Sequence, residues 1–412
     1  MNNVLCFINN NLIKVLNNED VDYSILSSDE QVKLIEVCEI HDLELLFYQS
    51  YSKWFRSISS DEYSEVYEQW KTECLKKTLE SKLRYKNTKE VINHLMERDI
   101  KVLLFKGLDY ASYYNDFCHR IMCDVDLCVS KSDYKKAYKL LKALNFNAKP
   151  DDNIDVIFAD RTRKDITFKK KNFYPIELHF DLVNKDAYKE FSSFKVDIET
   201  DCVFVENDNL SYFKLNISDN IIYCLIHIYC HFKASGIGYK QLIDLYHLST
   251  ADEIDWQYIT EKLKEYGILH FSKLIYIIIR DLFGINVIVE KFNLDDTIDD
   301  IVVELFMEDM YKGGSFGYSD RNNYISKQVA DYNVNNKSSI LNLIKFAFPQ
   351  KEHLMKNPRY DYCSNVLLLP IAWLHRLSRN IRLGRLSLFN KNLSWDSVNR
   401  RKYIMKWINE ND

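Results

Sequence analysis

The amino-acid sequence predicts an α+β fold, in which a small mixed β-sheet with its own helices is flanked by helical regions on both sides. Long segments near the two ends of the chain repeat apolar residues at three- and four-residue spacing, which is typical of amphipathic helices. Short apolar runs between residues 99 and 206 favour buried strands. Glycine (9) and proline (5) are scarce among the 412 residues, which favours helices over hairpins.

The first predicted region, residues 1–98, is helical. Residues 31–37 and 62–96 carry apolar side chains at helical spacing, and the second segment is long and strongly charged. The pattern changes near Arg98, where we place the first boundary between regions.

The central region, residues 99–206, mixes strands with helices. Residues 101–105 form an apolar run that ends at Lys106 and Gly107, and a helix is predicted to follow over 108–115. A second strand is predicted at 124–129, followed by an amphipathic helix over 132–144 with Ser132 as its N-cap. Further strands are predicted at 165–168, 174–180 and 202–205.

The last region, residues 207–412, is predicted to be helical from Ser218 onward. Its most apolar run, residues 274–279, ends at Arg280 and is too short for a membrane span. The N-terminus lacks the features of a signal peptide, and the ten cysteines show no framework spacing. These observations predict a cytoplasmic protein with reduced thiols.

The net charge of −5 and the pI near 6.1 argue against a surface that coats nucleic acid. A local basic stretch remains, in which arginines recur every three residues before a final basic triplet at Arg400–Lys402. We interpret it as a solvated face or a lid over a polyphosphate, and nucleic-acid binding is the less favoured alternative. The recurring arginines are Arg376, Arg379, Arg382 and Arg385.

Two aspartates one residue apart are the most informative feature of the chain. Asp124 and Asp126 alternate with Val125 and Leu127, so on a strand both carboxylates point to one face and the apolar side chains to the other. Two adjacent carboxylates are costly to bury unless a cation bridges them. Mg²⁺ takes oxygen ligands and commonly joins carboxylates to substrate phosphates, so phosphoryl or nucleotidyl transfer is the first hypothesis.

A third acid is expected on a neighbouring strand. Glu177 alternates with Ile176 and Leu178, so it shares a strand face with His179. Glu177 is predicted either to complete the metal site or to deprotonate an attacking hydroxyl. For His179 the alternative is an imidazole that only supports a metal ligand.

The order of these motifs resembles the DNA polymerase beta-like nucleotidyltransferase superfamily, and within it the bacterial group described as nucleotidyltransferase family proteins. The matching pieces are Leu104–Gly107, Arg120 ahead of Asp124–Leu127, Ile176–His179, Gly236–Asp244 and Leu368–Arg376.

The resemblance implies a nucleotide-binding core that uses Mg²⁺ or Mn²⁺. It assigns Asp124, Asp126 and Glu177 to catalysis and metal binding. It assigns nucleotide binding to Lys106, Gly107, Arg120, His179, Lys240 and Asp244. Lys106 would meet phosphate and Gly107 would let the backbone approach it. For Lys240 and Asp244, four residues apart on a predicted helix, a surface ion pair is the alternative.

The predicted reaction transfers a nucleoside monophosphate from an NTP to an acceptor hydroxyl, with release of pyrophosphate. The acceptor is left open among a small molecule, a sugar, a protein and RNA. In one respect the chain departs from the superfamily, because Gly107 is followed by Leu108 instead of glycine or serine. A catalytically inactive module that binds a nucleotide or a partner is therefore the alternative.

Overall fold

A computed structural model gives the fold of this chain. It describes residues 3–58, 65–149, 165–184, 188–207, 210–284, 298–315, 348–355, 358–382 and 395–412.

Four helices come first, as the sequence predicts. They are α1 (Asn3–Leu16), α2 (Ser28–Ile40), α3 (Glu44–Ser57) and α4 (Glu65–Met96). The predicted segment 31–37 lies in α2 and most of 62–96 lies in α4, while residues 59–64 lie outside the described part of the chain. Helix α2 begins at a capping box, in which Ser27 and Glu30 exchange backbone and side-chain hydrogen bonds.

Seven strands of the described residues form one mixed sheet, in the order β3-β4-β5-β2-β1-β7-β6. The strands are β1 (Leu103–Phe105), β2 (Val125–Cys128), β3 (Asn147–Lys149), β4 (Asp165–Lys169), β5 (Ile176–His179), β6 (Cys202–Asn207) and β7 (Leu210–Leu215). The sequence predicts five of them. It misses β3 and β7, and the predicted strand at 124–129 is shorter at both ends.

Strand β2 pairs antiparallel with β1 and parallel with β5, which aligns Phe105, Asp126 and Glu177 across the sheet. Val125 and Leu127 are fully buried in the core on the opposite face. Each such side chain stabilises the fold by about 1.5–3 kcal/mol, and a one-residue slip would turn both toward the polar face. The apolar alternation therefore fixes the face on which Asp126 lies.

Two helices of the central region differ from the prediction. Helix α5 (Gly107–Ala111) ends before residue 115, with Ser112 as its C-cap. Helix α6 (Tyr134–Ala143) starts later than predicted, and Ser132 is not its N-cap. That position belongs to Asp133, whose backbone N–H donates instead to the hydroxyl of Ser130.

The later part of the chain is helical within the described residues, as predicted. The helices are α7 (Ile217–Ala234), α8 (Tyr239–Ser249), α9 (Trp256–Glu265), α10 (Leu269–Phe283), α11 (Asp300–Gly313), α12 (Lys351–Leu354), α13 (Leu369–Arg382) and α14 (Trp395–Asn411). None of the helices in the described ranges has both the length and the apolar character needed to cross a membrane.

Residue contacts divide the chain into two compact units. The first comprises residues 1–159, 163–228 and 239–295, and it contains both the whole sheet and the four N-terminal helices. The second comprises residues 160–162, 229–238 and 296–412. The boundaries predicted at 98 and 206 stay a prediction about the organisation of the chain.

Within the second unit, the basic triplet Arg400–Lys402 differs from the solvated face that the sequence predicts. Arg400 and Arg401 on α14 are buried, so they do not form a solvated face. The Arg401 guanidinium lies 3.2 Å from a carboxylate oxygen of Asp309 and 3.5 Å from the centre of the Phe232 ring. Arg385, in the recurring series, lies outside the described residues.

Candidate active site

Two neighbouring strands, β2 and β5, together with the residue after β1 and the residue before β2, bring five charged or ionisable side chains together. We call Lys106, Asp124, Asp126, Glu177 and His179 the sheet cluster. Asp126 and Glu177 are direct neighbours in the β2–β5 register, and His179 lies two residues further along the same face of β5. Lys106 follows the last residue of β1, which pairs with Asp126. The predicted convergence of these residues is therefore present in the fold.

Asp126 is the centre of the cluster. Its Oδ1 atom lies 3.0 Å from Nε2 of His179 and 3.2 Å from Nζ of Lys106. An ionised carboxylate only accepts hydrogen bonds, so the Lys106 ammonium donates to this oxygen, and His179 donates to it in the tautomer that carries the proton on Nε2. The same His179 nitrogen lies 3.6 Å from Oε2 of Glu177. His179 thus fixes the positions of two carboxylates relative to each other.

Lys106 is held in an unusual conformation and a buried position. Its φ angle of 54° lies in the left-handed region, which costs free energy for a residue other than glycine and is often found at functional sites. The ammonium lies 5.2 Å from the centre of the Phe105 ring and 5.6 Å from that of Tyr223. Burial alone would lower the pKa of Lys106, but the Asp126 carboxylate outweighs it and raises that pKa.

The carboxylates have opposite pKa shifts. Burial, and then repulsion by Asp126 and Glu177, raises the pKa of Asp124 to about 6. Hydrogen bonding with His179 lowers the pKa of Glu177. Asp124 therefore carries an unbalanced negative charge at neutral pH, although Lys106 and Lys240 offset part of it.

The donor set fits a divalent cation. One ligand atom each from Asp126, Glu177 and His179 lie within 4.8 Å of one another, and this is the only such group among the residues that the structure describes. Mg²⁺ takes oxygen ligands, which the carboxylates supply, whereas Mn²⁺ has a wider choice of ligands. The repulsion of Asp124 by Asp126 and Glu177 also favours a bound cation, because a cation between these carboxylates would remove the repulsion.

Gly107 lets the backbone at the start of helix α5 approach the backbone of Asp124, at the edge of the sheet cluster. Its φ angle is +24°, and a β-carbon at this position would lie 3.5 Å from the carbonyl oxygen of Asp124. The start of helix α5 therefore lies directly against the residue that precedes β2.

The other three predicted nucleotide-binding residues have partners of their own. Arg120 forms a bidentate pair with Asp244, with both nitrogen–oxygen distances at 2.8 Å, and Tyr114 donates to the same carboxylate at 2.9 Å. We call Arg120 with Asp244 the arginine pair. Lys240 binds Asp42 at 2.6 Å. The alternative of a surface ion pair between Lys240 and Asp244 is wrong, because both are buried and each pairs with another residue.

Sequence reasoning missed four residues around these groups. Asp42 and Tyr114 pair with residues far away in the sequence, and no local pattern indicates either contact. Tyr223 borders the Lys106 ammonium from helix α7. Asp165 lies 3.8 Å from Nδ1 of His179, and alternation along the predicted strand at 165–168 would have assigned it to a face.

A mixed sheet that gathers carboxylates on one face, beside a lysine–glycine turn that opens a helix, agrees with the core that the sequence resemblance implies. The chain belongs to the family described as uncharacterised nucleotidyltransferase, which matches residues 27–284. The match contains four of the five sequence pieces that carry the resemblance, and Leu368–Arg376 lies outside it. No curated protein matches the chain.

Proposed function

We propose that this protein is a nucleotidyltransferase that depends on Mg²⁺ or Mn²⁺ and transfers a nucleoside monophosphate from an NTP to an acceptor hydroxyl. The observation that carries this proposal is that one potential ligand atom each from Asp126, Glu177 and His179 lie within 4.8 Å of one another, in a chain of a nucleotidyltransferase family. Asp124, two residues before Asp126, is proposed as a further ligand. A cytoplasmic location is part of the proposal.

Asp124, Asp126 and Glu177 would hold the cation, and His179 would keep the last two in place through its Nε2 atom. The bound cation would polarise the α-phosphate and stabilise the charge of the leaving pyrophosphate. Lys106, which is buried and charged, would exchange part of its contact with Asp126 for a phosphate oxygen.

The transfer exchanges one phosphorus–oxygen bond for another. The acceptor oxygen bonds to the α-phosphorus, and the bond from that phosphorus to the bridging oxygen of the pyrophosphate breaks. The hydroxyl proton passes to Asp126 or Glu177, which border the incoming oxygen. Arg120, Lys240 and Asp244 are proposed to form the wall of the nucleotide site. The ion pairs Arg120–Asp244 and Lys240–Asp42 would keep this wall rigid.

An inactive module that only binds a nucleotide or a partner is the second candidate. Lys106 favours it, because its ammonium lies 3.2 Å from the carboxylate oxygen that a cation would use. Leu108, in place of a serine or glycine, removes a hydroxyl that could contact phosphate.

The test incubates the purified protein with each of the four α-³²P-labelled NTPs and Mg²⁺ or Mn²⁺, with and without cell extract. We expect label to be transferred to one acceptor class, and we expect the Glu177→Gln variant to lose that transfer. Glu206→Gln is the matched control, because Glu206 is exposed on the edge strand β6. NTP binding without any transfer would instead establish the inactive module.

A further inference from the structure

A cavity of about 530 Å³ opens beside the sheet cluster, at the end of the sheet where β2 and β5 begin. Its charged lining consists of four cationic side chains and one carboxylate, which leaves three net positive charges in a chain whose own net charge is −5. We call it the basic cavity. The charged residues are Glu80, Arg84, Lys169, Lys170 and Lys171.

The wall of the basic cavity adjoins the catalytic residues along the chain. Cys123 immediately precedes Asp124, and Pro175 immediately precedes β5, which carries Glu177. The carbonyl oxygen of Pro175 accepts a hydrogen bond from the backbone N–H of Val125 at 2.8 Å. The two wall residues are therefore fixed to the strands of the sheet cluster.

The strand register places Lys169 on the catalytic face. Thr167 pairs with Glu177, which pairs with Asp126. Continuing this register by two residues past the starts of β2 and β5 would align Asp124, Pro175 and Lys169 in one row. Residues of one row share a face, and two strand spacings of about 4.8 Å put the Cα of Lys169 roughly 10 Å from that of Asp124. An acceptor held by Lys169 can therefore reach the carboxylates.

Two of the four cationic side chains of the basic cavity are available to bind a ligand. Lys169 and Lys171 are exposed, and neither has an ion-pair partner among the described residues. Arg84 is positioned over the Tyr174 ring at 5.9 Å, and its Nη2 atom lies 3.4 Å from Glu80. Lys170 has a partner within the protein, because its ammonium donates to the carbonyl oxygen of Leu144.

We propose that the basic cavity binds a phosphate group of the acceptor, and that the acceptor is a small phosphate-bearing molecule. This inference rests on the proposed function. Gly107 packs against Asp124 from the side of β1, whereas Lys169 lies on the side of β4, so NTP phosphates and acceptor phosphate approach the cluster from opposite sides of β2. The volume and the few cations suit a compact anion better than a nucleic-acid chain, whose binding needs many phosphate contacts.

The first experiment uses pyridoxal 5′-phosphate as the probe, because its aldehyde condenses with a lysine amine, with loss of water, where a phosphate site holds it. Borohydride then reduces the imine to a stable secondary amine. Mass spectrometry is expected to find labelling of Lys169 or Lys171 about tenfold above that of Lys135 and Lys139, two exposed lysines of helix α6. Pyridoxal without phosphate should lose this preference, and inorganic phosphate should protect both lysines.

Equal labelling of all four lysines would overturn the proposal while leaving the transfer reaction standing. Protection by a short RNA but not by inorganic phosphate, with steep salt dependence, would overturn it in favour of a nucleic-acid acceptor.

The second experiment separates the acceptor from the NTP. The double variant Lys169→Gln/Lys171→Gln should bind each NTP with an unchanged Kd, whereas its rate of label transfer at limiting extract should fall about tenfold. The matched control is Lys135→Gln/Lys139→Gln. A Kd for NTP that rises together with the loss of transfer would assign the cavity to the NTP and overturn the acceptor role. Absence of transfer in the unmodified protein would count against the proposed function, and the labelling experiment would still test the phosphate site.

Discussion

The sheet cluster and the arginine pair contain the same kinds of charged groups, but they differ in how far those groups satisfy one another. In the arginine pair each carboxylate oxygen receives a guanidinium nitrogen at 2.8 Å, and both side chains are buried. In the sheet cluster three carboxylates share one lysine and one histidine. The two regions therefore differ in charge balance, and unbalanced charge with a shifted pKa is typical of a ligand site.

The largest expected effect is on catalysis in the sheet cluster. Asp124→Asn should reduce the rate of label transfer by about 10³-fold, because it removes a proposed metal ligand. The same change should stabilise the metal-free protein by about 2 kcal/mol at pH 8, since it removes a buried carboxylate whose pKa is raised to about 6. Transfer assays and urea unfolding with a chelator measure the two effects.

The opposite signs of these effects distinguish a ligand site from a structural site. Asp252→Asn is the control, because Asp252 is exposed, and we expect changes of less than about 0.5 kcal/mol there. A loss of stability in Asp124→Asn would mean that the cluster is balanced without a cation, and the comparison would fail.

Removal of the carboxylate of the arginine pair should lower the stability of the protein, in contrast to Asp124→Asn. Asp244→Ala should destabilise the protein by about 3 kcal/mol, because it leaves the Arg120 guanidinium buried without its carboxylate. The double variant Arg120→Met/Asp244→Leu should recover most of this loss, since an apolar pair of similar volume carries no charge to desolvate. Urea unfolding of Arg120→Met, Asp244→Leu and the double variant completes the cycle.

A double variant as unstable as Asp244→Ala would show that the hydrogen bond from Tyr114 matters more than the ion pair. A single variant that keeps full stability would show that Arg120 reaches water, which would favour a direct role in binding phosphate.

Asp109 is a buried carboxylate that lies outside both regions. Burial raises its pKa to about 6, while Asn220 donates to one of its oxygens at 2.8 Å. A carboxyl whose pKa is raised by folding stabilises the protein fully below its unfolded pKa, and the contribution is lost as pH rises through about 6. Between pH 4 and pH 8 Asp109 should therefore reduce the free energy of unfolding by about 2 kcal/mol.

Urea unfolding of Asp109→Asn, whose amide oxygen can still accept from Asn220, should lack this part of the pH dependence. Transfer activity should stay unchanged in this variant. Identical pH dependence in Asp109→Asn and the unmodified protein would show that folding does not raise the pKa of Asp109.

The sequence predicted the structure where the alternation of apolar and polar residues along one strand determines which face each side chain occupies. Apolar residues on one face of β2 and β5 placed Asp126 on a polar face and grouped Glu177 with His179, and the structure has both arrangements. The same reasoning located β1, because Lys106 and Gly107 end its apolar run.

The sequence was insufficient where the outcome depends on long-range partners. Lys240 lies 198 residues from Asp42, and Arg120 lies 124 residues from Asp244, so no local pattern links either pair. Helical spacing instead suggested a contact between Lys240 and Asp244, which the packing of helix α8 against distant segments prevents. Ser132 failed as a cap for a local reason, because the preceding Ser130 provides the competing hydroxyl.

The smallest expected effect tests whether Lys240, which lies outside both compared regions, contributes to the charge balance of the sheet cluster. Lys240 pairs with Asp42, yet its charge also lowers the pKa of Asp124, although less than Lys106 does. Lys240→Gln should therefore move the pKa of Asp124 further up from about 6 in the metal-free protein. Carbon NMR of labelled aspartate carboxylates measures the titration, and the signal missing in Asp124→Asn gives the assignment.

Lys53→Gln is the control for that titration, because Lys53 is exposed and pairs with the exposed Asp20. Its loss should leave the Asp124 titration in place, since water and salt screen charges on the surface. An Asp124 midpoint that is the same in Lys240→Gln and in the unmodified protein would show that Lys240 does not contribute to the charge balance of the sheet cluster. A midpoint that rises only in Lys240→Gln would mean that Lys240 has two functions: it holds Asp42 in place and keeps Asp124 ionised for a cation at neutral pH.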